Sequence, residues 1–324
     1  MIYSLPYKTK QFFFVLIKVS LVVAAFYFIY HKLTKNSSLS FHHFIYILTK
    51  NDVFSIKNCV FLIVLSGFNW FFEILKWKTL VSFLTKITFK DAIKQSLGAL
   101  TASLFTPNRI GEYGAKALYY NTHLKKGVMT VNLISNVLQM AITCILGSIG
   151  FAFFIIAYNI PVNYFSIVKT LSFVLIIALI IIIILSHKKL ENKMFSILKF
   201  KQTLLNYPKS KLILGLFLSL IRYTIFSFQF YILLRFFDIN IAYINAITAI
   251  ASMYLITSIM PSIFIFDVLI KGSVAVYLFA FIGVSEITIL TIITTMWLLN
   301  FVLPSVVGSY YVLSFKLPKQ IIKT

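Results

Sequence analysis

The residues best able to do chemistry are concentrated in residues 106–116, between two apolar runs. This stretch combines a helix-breaking proline and two glycines with three charged side chains: Pro107, Gly111, Gly114, Arg109, Glu112 and Lys116. Arginine can bind phosphate or carboxylate in a bidentate way. A glutamate and a lysine four residues apart share one helical face, where their charges can neutralise each other. The stretch predicts either a water-exposed loop or, as we expect, a site for an anionic group that dips into a membrane.

The composition of the whole chain indicates a membrane protein. Of its 324 residues, 60% are hydrophobic and 12% are charged, with a mean hydropathy of +0.93. A soluble domain has about 25% charged residues. Because helices satisfy their own backbone hydrogen bonds in lipid, we expect an all-α, polytopic helical bundle in which residues 1–324 form a single transmembrane domain. No polar stretch is long enough to form a soluble catalytic domain.

The strongly positive charge of the chain fits a membrane better than a nucleic acid. The net charge is +22, and most of it comes from lysine, since the arginines are confined to Arg109, Arg222 and Arg235. Lysines of membrane proteins concentrate in cytoplasmic loops, where they face anionic lipid. Residues 187–211 form the most basic loop, and lysines also flank both ends of the chain. We therefore expect cytoplasmic termini, anionic phospholipids as partners, and no nucleic acid.

Cysteine and histidine do not predict a metal or redox site. Cys59 and Cys144 both fall in apolar runs, and the five histidines lack the spacing of metal ligands. The sequence also has no glycine-rich nucleotide loop. We expect no disulfide, no metal and no cofactor.

Long apolar runs predict the helices that cross the membrane. A crossing needs about 20 residues, and suitable runs cover residues 12–30, 59–76, 128–158, 167–185, 212–236 and 287–312. Trp77, between two lysines at the end of the second run, is expected at the membrane interface.

Two further apolar regions are interrupted by proline and predict re-entrant hairpins. The first region, residues 92–120, breaks at Pro107, and the second, residues 242–283, breaks at Pro261. Lysines flank the first region on both sides, which by the positive-inside rule places both of its ends in the cytoplasm. If every apolar run crossed the membrane instead, about eight crossings would result.

The order of these elements predicts an inverted repeat. Residues 12–158 and residues 165–312 each contain three crossings and one hairpin. An odd number of crossings gives the two units opposite orientations, as in transporters whose sites lie where broken helices meet. Both hairpins also carry an acid and a base four residues apart, namely Glu112 with Lys116 and Asp267 with Lys271.

Polar residues in the predicted spans fall on single helical faces. Asn69 and Glu73 share a face with Ser66, and a stripe on the next long span carries Asn132, Asn136, Gln139 and Thr143. Arg222 lies near the middle of a span, where an arginine costs about 2.5–3.5 kcal/mol on insertion scales. We expect each of these faces to line the protein interior or a cavity, and Arg222 to have a partner or water.

Residues 107–112 follow a predicted helix that is rich in small residues. Together these segments resemble the sequence signature of the flippase-like family. This family comprises the membrane domain of lysylphosphatidylglycerol synthases and its stand-alone relatives, and the resemblance covers essentially the whole chain. The glycines usual in the family's second turn are missing from residues 261–267. The resemblance implies a bacterial inner-membrane protein. Aminoacyl transfer is not implied, because the soluble transfer domain is lacking.

Three functions remain open from the sequence. The first is translocation of a phosphate-bearing lipid, which can be aminoacylated. The residues expected to bind its head group are Arg109, Glu112, Lys116, Arg222, Asp267 and Lys271. The polar residues expected to line its path are Asn69, Glu73, Asn132, Asn136 and Gln139. The second is a scaffold that does not transport and serves a membrane or lipid-synthesising partner. The third is a transferase acting on a lipid-linked substrate, with Glu112 or Asp267 as general base. We expect transport rather than catalysis.

Overall fold

The computed structural model describes residues 55–104, 106, 110–159, 206–259 and 264–315. Within these ranges the chain is helical and forms no strand, which confirms the predicted all-α bundle. The helices are α1 (Ile56–Val81), α2 (Phe89–Ser103), α3 (Gly111–Ala117), α4 (Thr122–Ala157), α5 (Lys209–Phe236), α6 (Tyr243–Ile259), α7 (Phe264–Ala280), α8 (Glu286–Trp297) and α9 (Leu303–Leu313). A π-helical turn, Leu298–Val302, joins α8 to α9 in one continuous rod.

Hydroxyl side chains set the beginning of three helices. Ser55 accepts a hydrogen bond from the backbone N–H of Asn58 at the start of α1, and Thr88 accepts one from Asp91 at the start of α2. Ser285 caps α8 in the same way. A serine or threonine at this position satisfies a backbone donor that the first helical turn leaves without a partner.

Four rods are long and apolar enough to cross a membrane. They cover Ile56–Val81, Thr122–Ala157, Lys209–Phe236 and Glu286–Leu313, with 26, 36, 28 and 28 residues. Four of the predicted spans are thus confirmed, each somewhat longer than its apolar run. Large apolar side chains such as Phe68, Phe153 and Ile156 remain more than half exposed, as expected for surfaces that face lipid. The predicted spans at residues 12–30 and 167–185 lie outside the described residues.

The two proline-containing regions form pairs of shorter helices. Helix α2 has 15 residues and α3 has seven, whereas α6 and α7 have 17 each. At 1.5 Å per residue, even 17 residues extend only about 26 Å, less than the roughly 30 Å of a bilayer core. Pro107, Arg109 and Pro261 lie outside the described residues, so the re-entrant path stays a prediction.

Gly111 begins α3 at a point where the chain turns tightly on itself. Its backbone N–H donates to the hydroxyl of Thr106 at 2.8 Å. A Cβ at this position would lie 2.8 Å from Cγ2 of the same threonine, which is closer than such atoms approach each other. We also expected Gly111, together with Pro107 and Pro261, to mark a helix break, and this close contact gives a steric reason for glycine at position 111.

Helix packing pairs the long rods with the short helices. Helix α4 packs along α6, α9 packs along α2, and α1 packs along α5. Glycines permit the first two contacts: a Cβ at Gly150 would lie 2.6 Å from Cβ of Ala251, and a Cβ at Gly308 would overlap the carbonyl oxygen of Leu97. In these two pairs the last rod of one predicted repeat packs against the first hairpin helix of the other. The inverted orientation of the repeats stays a prediction.

Candidate functional site: a buried charge cluster

A carboxylate inside the helix bundle contacts two cations. Glu73 on α1 lies 2.8 Å from the ammonium of Lys76 on the same helix and 2.8 Å from the guanidinium of Arg222 on α5. Side chains of Glu73 and Lys76 are 9% and 1% exposed, whereas that of Arg222 is 20% exposed. Arg222 therefore has the partner that its position in a span requires, and it presents the most open face of the three groups.

A chain of side-chain amides holds this carboxylate and its cations in place. Arg222 Nε donates to Asn69 Oδ1 at 3.0 Å, and Asn69 Nδ2 donates to Asn300 Oδ1 at 2.8 Å. Asn300 Nδ2 donates in turn to Gln229 Oε1 at 2.8 Å, and Gln229 Nε2 donates to the carbonyl of Leu62 at 3.0 Å. The chain connects α1, α5 and the π-helical turn. Its bonds satisfy buried amides, which would otherwise destabilise the fold.

A second ion pair lies at the hairpin. Lys116 Nζ on α3 is 2.8 Å from Glu112 Oε1 and donates to Asn132 Oδ1 on α4, also at 2.8 Å. The ammonium lies 4.1 Å from the centroid of the Trp77 ring. Lys116 is 1% exposed and Glu112 is 3% exposed. The predicted pairing of Glu112 with Lys116 is confirmed.

Trp77 lies in the protein interior, so its predicted interfacial position is wrong. It is fully buried, and its indole N–H donates to Gln95 Oε1 at 2.8 Å. Tyr120 donates to the same oxygen at 2.7 Å. The Lys116 ammonium lies over the Trp77 ring, and the face of an indole attracts a cation. This contact favours a buried position for Trp77.

The polar stripe of α4 joins the two ion pairs. Gln139 Oε1 lies 3.4 Å from Lys76 Nζ and 3.4 Å from an Nη of Arg222, at the long limit for hydrogen bonds. Asn136 Nδ2 donates to the hydroxyl of Tyr113 at 2.9 Å. With Asn132 at Lys116, the stripe faces the interior as predicted. We call the connected group of Glu73, Lys76, Glu112, Lys116 and Arg222 the charge cluster.

Counted over the described residues, the charge cluster contains three cations and two carboxylates, an excess of one positive charge. Two polar groups on α4 are buried and have no hydrogen-bond partner among the described residues: Nδ2 of Asn132, whose Oδ1 accepts from Lys116, and Oγ of Ser135 one turn further along the helix. The part of the chain that the structure describes holds no group of three His, Cys, Asp or Glu that could bind a metal ion. The arrangement is therefore suited to bind an anion through charge and hydrogen-bond donors.

Not all predicted site residues belong to this cluster. Glu112, Lys116, Arg222, Asn69, Glu73, Asn132, Asn136 and Gln139 are brought together by the contacts above. Lys271 lines a separate cavity beside Phe301. Arg109 and the side chain of Asp267 lie outside the described residues, so the pairing of Asp267 with Lys271 stays a prediction.

Sequence reasoning assigned no role in the site to Lys76, Gln95, Gln229 or Asn300. Lys76 was expected at the end of a span, although its spacing of three residues from Glu73 is that of a helical ion pair. The spacing of seven residues between Arg222 and Gln229 also indicated a shared face. No signal in the sequence connects Asn300 with Asn69, because that contact depends on how distant helices pack.

A comparison with protein families matches most of the chain. The lysylphosphatidylglycerol synthase TM region matches residues 12–308, which is most of the chain. No curated protein matches the chain, and no solved structure does. With four apolar rods, the chain is a multi-pass membrane protein. It belongs to the family of the lysylphosphatidylglycerol synthase TM region.

Proposed function

We propose that this protein binds the phosphate of an anionic lipid head group at the charge cluster and translocates that lipid across the bilayer. The observation that carries the proposal is that, among the described residues, the cations of the cluster outnumber its carboxylates by one. An unbalanced charge is costly inside a membrane. A lipid phosphate would supply the missing negative charge.

Family membership supports the lipid as ligand. The chain is an integral membrane protein related to lipid handling, since the family is named for a lysylphosphatidylglycerol synthase. The excess positive charge favours a head group of net negative charge over one whose amines outnumber its phosphate. Within the proposal, an anionic phospholipid is therefore a better ligand than its lysylated form.

Arg222 is the residue that we assign to first contact with the phosphate. It is more exposed than Lys76 or Lys116, whose side chains are each 1% exposed. A guanidinium can share its donors between two oxyanions because its five N–H groups form a rigid planar fork. Glu73 would hold Arg222 in place before the lipid arrives and recover it after release, which makes binding reversible.

The polar stripe of α4 would form part of the path. Asn132 Nδ2 and Ser135 Oγ are buried donors without a partner among the described residues, and a phosphate oxygen could accept from them. The lysine-rich loops support a placement in a bacterial inner membrane with both termini in the cytoplasm. The proposal includes no chemical step on the lipid.

Transfer of labelled lipids in proteoliposomes tests this function. We would compare wild type with Arg222→Gln, using phosphatidylglycerol, phosphatidylethanolamine and lysylphosphatidylglycerol probes. Arg235→Gln is the matched control, because Arg235 lies on the same helix but is exposed and bonded to Asn240. We expect Arg222→Gln to slow phosphatidylglycerol transfer at least ten-fold, while Arg235→Gln transfers as wild type does. If wild type moves none of the probes, the proposal fails and a scaffold role is favoured. If Arg222→Gln moves them at the normal rate, the proposed role of the charge cluster in transfer fails.

A further inference from the structure

Polar groups continue along α1 beyond the charge cluster, toward the beginning of that helix. Glu73 and Lys76 belong to the cluster, and Asn69 and Ser66 follow at intervals of about one helical turn, all of them buried. One turn further, the carbonyl of Leu62 accepts a hydrogen bond from α5. From Lys76 to Leu62 this polar face extends over about 21 Å, at 1.5 Å per residue. It therefore covers most of the roughly 30 Å of a bilayer core.

The amide chain, which consists of Asn69, Asn300 and Gln229, has a fixed direction. Arg222 Nε donates at one end, and the carbonyl of Leu62 accepts at the other. A guanidinium can only donate and a carbonyl can only accept, so each amide accepts on the side of Arg222 and donates on the side of Leu62. If Arg222 turned toward the phosphate of a lipid, Asn69 would lose the donor that fixes this direction. Binding at the charge cluster is therefore linked to the amide chain through one hydrogen bond.

Asn300 lies in the π-helical turn, at a point where the rod of α8 and α9 can bend. Backbone hydrogen bonds in such a turn run five residues back, so the carbonyl of Leu299 would need an N–H from Pro304, which has none. The hydroxyl of Ser66 donates to this carbonyl instead, at 2.6 Å, and Trp70 Nε1 donates to the carbonyl of Asn300 at 3.0 Å. Long helices bend at prolines and at π-helical turns. The rod therefore has a hinge at the level of the amide chain, and side chains of α1 hold that hinge in place.

A closure made of amides can open at little cost. Hydrogen bonds between helices in a membrane contribute little net stability each, because the separated groups find other partners. After separation the amides would remain beside the path as polar groups, which can exchange hydrogen bonds with a passing head group. A closure made of apolar side chains would instead leave hydrocarbon around a charged group, which is costly.

We propose that the amide chain closes the translocation path between the charge cluster and the beginning of α1, and that its side chains separate and line the path when a head group passes. This inference rests on the proposed translocation, and it adds Ser66, Gln229 and Asn300 to the residues that meet the lipid. Bending of the rod at the π-helical turn would carry Asn300 away from α1 and α5.

A reversible cross-link between α1 and the π-helical turn tests the closure. In a background with Cys59→Ala and Cys144→Ala, we would combine Ser66→Cys with Leu299→Cys, because the Ser66 hydroxyl contacts the Leu299 carbonyl and all three amides stay in place. A short bis-methanethiosulfonate reagent joins the two cysteines, and a reducing agent releases them. We expect transfer of labelled phosphatidylglycerol in proteoliposomes to fall at least ten-fold in the linked protein and to recover after reduction.

The matched control joins α2 to α9 through Thr101→Cys and Ser305→Cys in the same background. The Thr101 hydroxyl also donates to a backbone carbonyl of another helix, that of Ser305, at 2.9 Å. This contact lies outside the amide chain, so the linked control should transfer lipid at the rate of its reduced form.

The accessibility of Ser66 gives a second measurement, which does not depend on the cross-link. The residue is 1% exposed in the closed structure. Ser66→Cys alone, in the same background, should react with a membrane-impermeant thiol reagent at least three-fold faster in phosphatidylglycerol vesicles than in phosphatidylcholine vesicles, because passage of the anionic lipid exposes it. A purely structural amide chain would protect this cysteine equally in both lipids.

The outcomes separate this inference from the proposed function. Unchanged transfer in the linked α1 pair, or equal labelling of Ser66→Cys in the two lipids, overturns the closure but leaves the translocation standing. Equal slowing by both cross-links also overturns it, because stiffening of any helix interface would then be sufficient. If the double variant does not fold, the labelling measurement decides alone. If the wild type transfers no lipid, the translocation fails and the closure fails with it.

Discussion

The carboxylate of Glu73 on α1 lies 2.8 Å from the guanidinium of Arg222 on α5. These two helices also pack along each other, so the ion pair lies at an interface between predicted repeats. Each partner has a further contact: Glu73 forms an ion pair with Lys76, and Arg222 donates a hydrogen bond to Asn69. Disturbing one partner should therefore affect both the stability of the bundle and its proposed binding of an anion.

The first prediction concerns the removal of the central carboxylate. Glu73→Gln leaves Lys76 and Arg222 without their shared counter-charge. Because breaking a buried pair typically costs about 3–5 kcal/mol, we expect a clear fall in unfolding free energy, measured by denaturant or heat in a mild detergent. Lys94→Gln is the control, since it removes a half-exposed pair with Asp91 that should contribute about 1 kcal/mol or less. Equal effects of the two variants would contradict the assigned role of Glu73.

The second prediction concerns the coupling of Glu112 with Lys116. Lys116→Met should destabilise the protein because it leaves a buried carboxylate, and Glu112→Gln should do so because it leaves a buried ammonium. The double variant should be less destabilised than the sum of the two, by about 1–3 kcal/mol. A double-mutant cycle on unfolding free energies measures this difference. Strict additivity would show that the two side chains do not stabilise each other.

The third prediction concerns the contact between α2 and α9. Gly308→Ala would place a methyl group against the Leu97 carbonyl and the Thr101 hydroxyl, where there is no space for it. It would also disturb the hydrogen bond from Thr101 Oγ1 to the Ser305 carbonyl, which is 2.9 Å long. We expect a loss of folded, monodisperse protein in size-exclusion chromatography. Gly67→Ala should be neutral or stabilising, because a Cβ there has no neighbour within 4 Å and alanine favours the helix.

The fourth prediction concerns the amide chain. Asn300→Leu removes the group that joins Asn69 to Gln229, and leaves both of these buried amides with an unmatched polar atom. At about 1–3 kcal/mol for each such atom, the loss of stability should be easily measurable by thermal unfolding. Asn245→Leu on α6 is the control, as Asn245 is exposed. If the two leucine variants unfold alike, the amide chain does not stabilise the bundle.

Much of the fold was predictable because few backbone structures are stable in lipid. Apolar length alone located four rods, and the spacing of Glu112 and Lys116 predicted an ion pair that the structure contains. The stripe of Asn132, Asn136 and Gln139 was assigned to the interior because a helix in lipid cannot turn a polar face outward. These predictions depend only on residues that are close together in the sequence.

The contacts between distant segments could not be predicted in the same way. Lys76 and Trp77 have the sequence pattern of a membrane interface, yet both are buried, because α2 and α4 pack against α1 and Lys116 of α3 lies over the Trp77 ring. The pairing of Arg222 with Glu73, and of Asn300 with Asn69, depends on which helices pack together and in what register. Tyr254 and Trp297 have no special spacing at all, and only the closure of α5, α6 and α8 around them forms a cavity.

The sequence by itself determined that this is an all-helical membrane protein with polar faces turned inward, because hydropathy and helical period act over neighbouring residues. The tertiary structure decided which charges share a site and that three cations meet two carboxylates there. The physical reason is that ion pairs and buried hydrogen bonds act over a few ångströms. Only the packing of whole helices, set by small residues such as Gly150 and Gly308, brings such distant groups within that range.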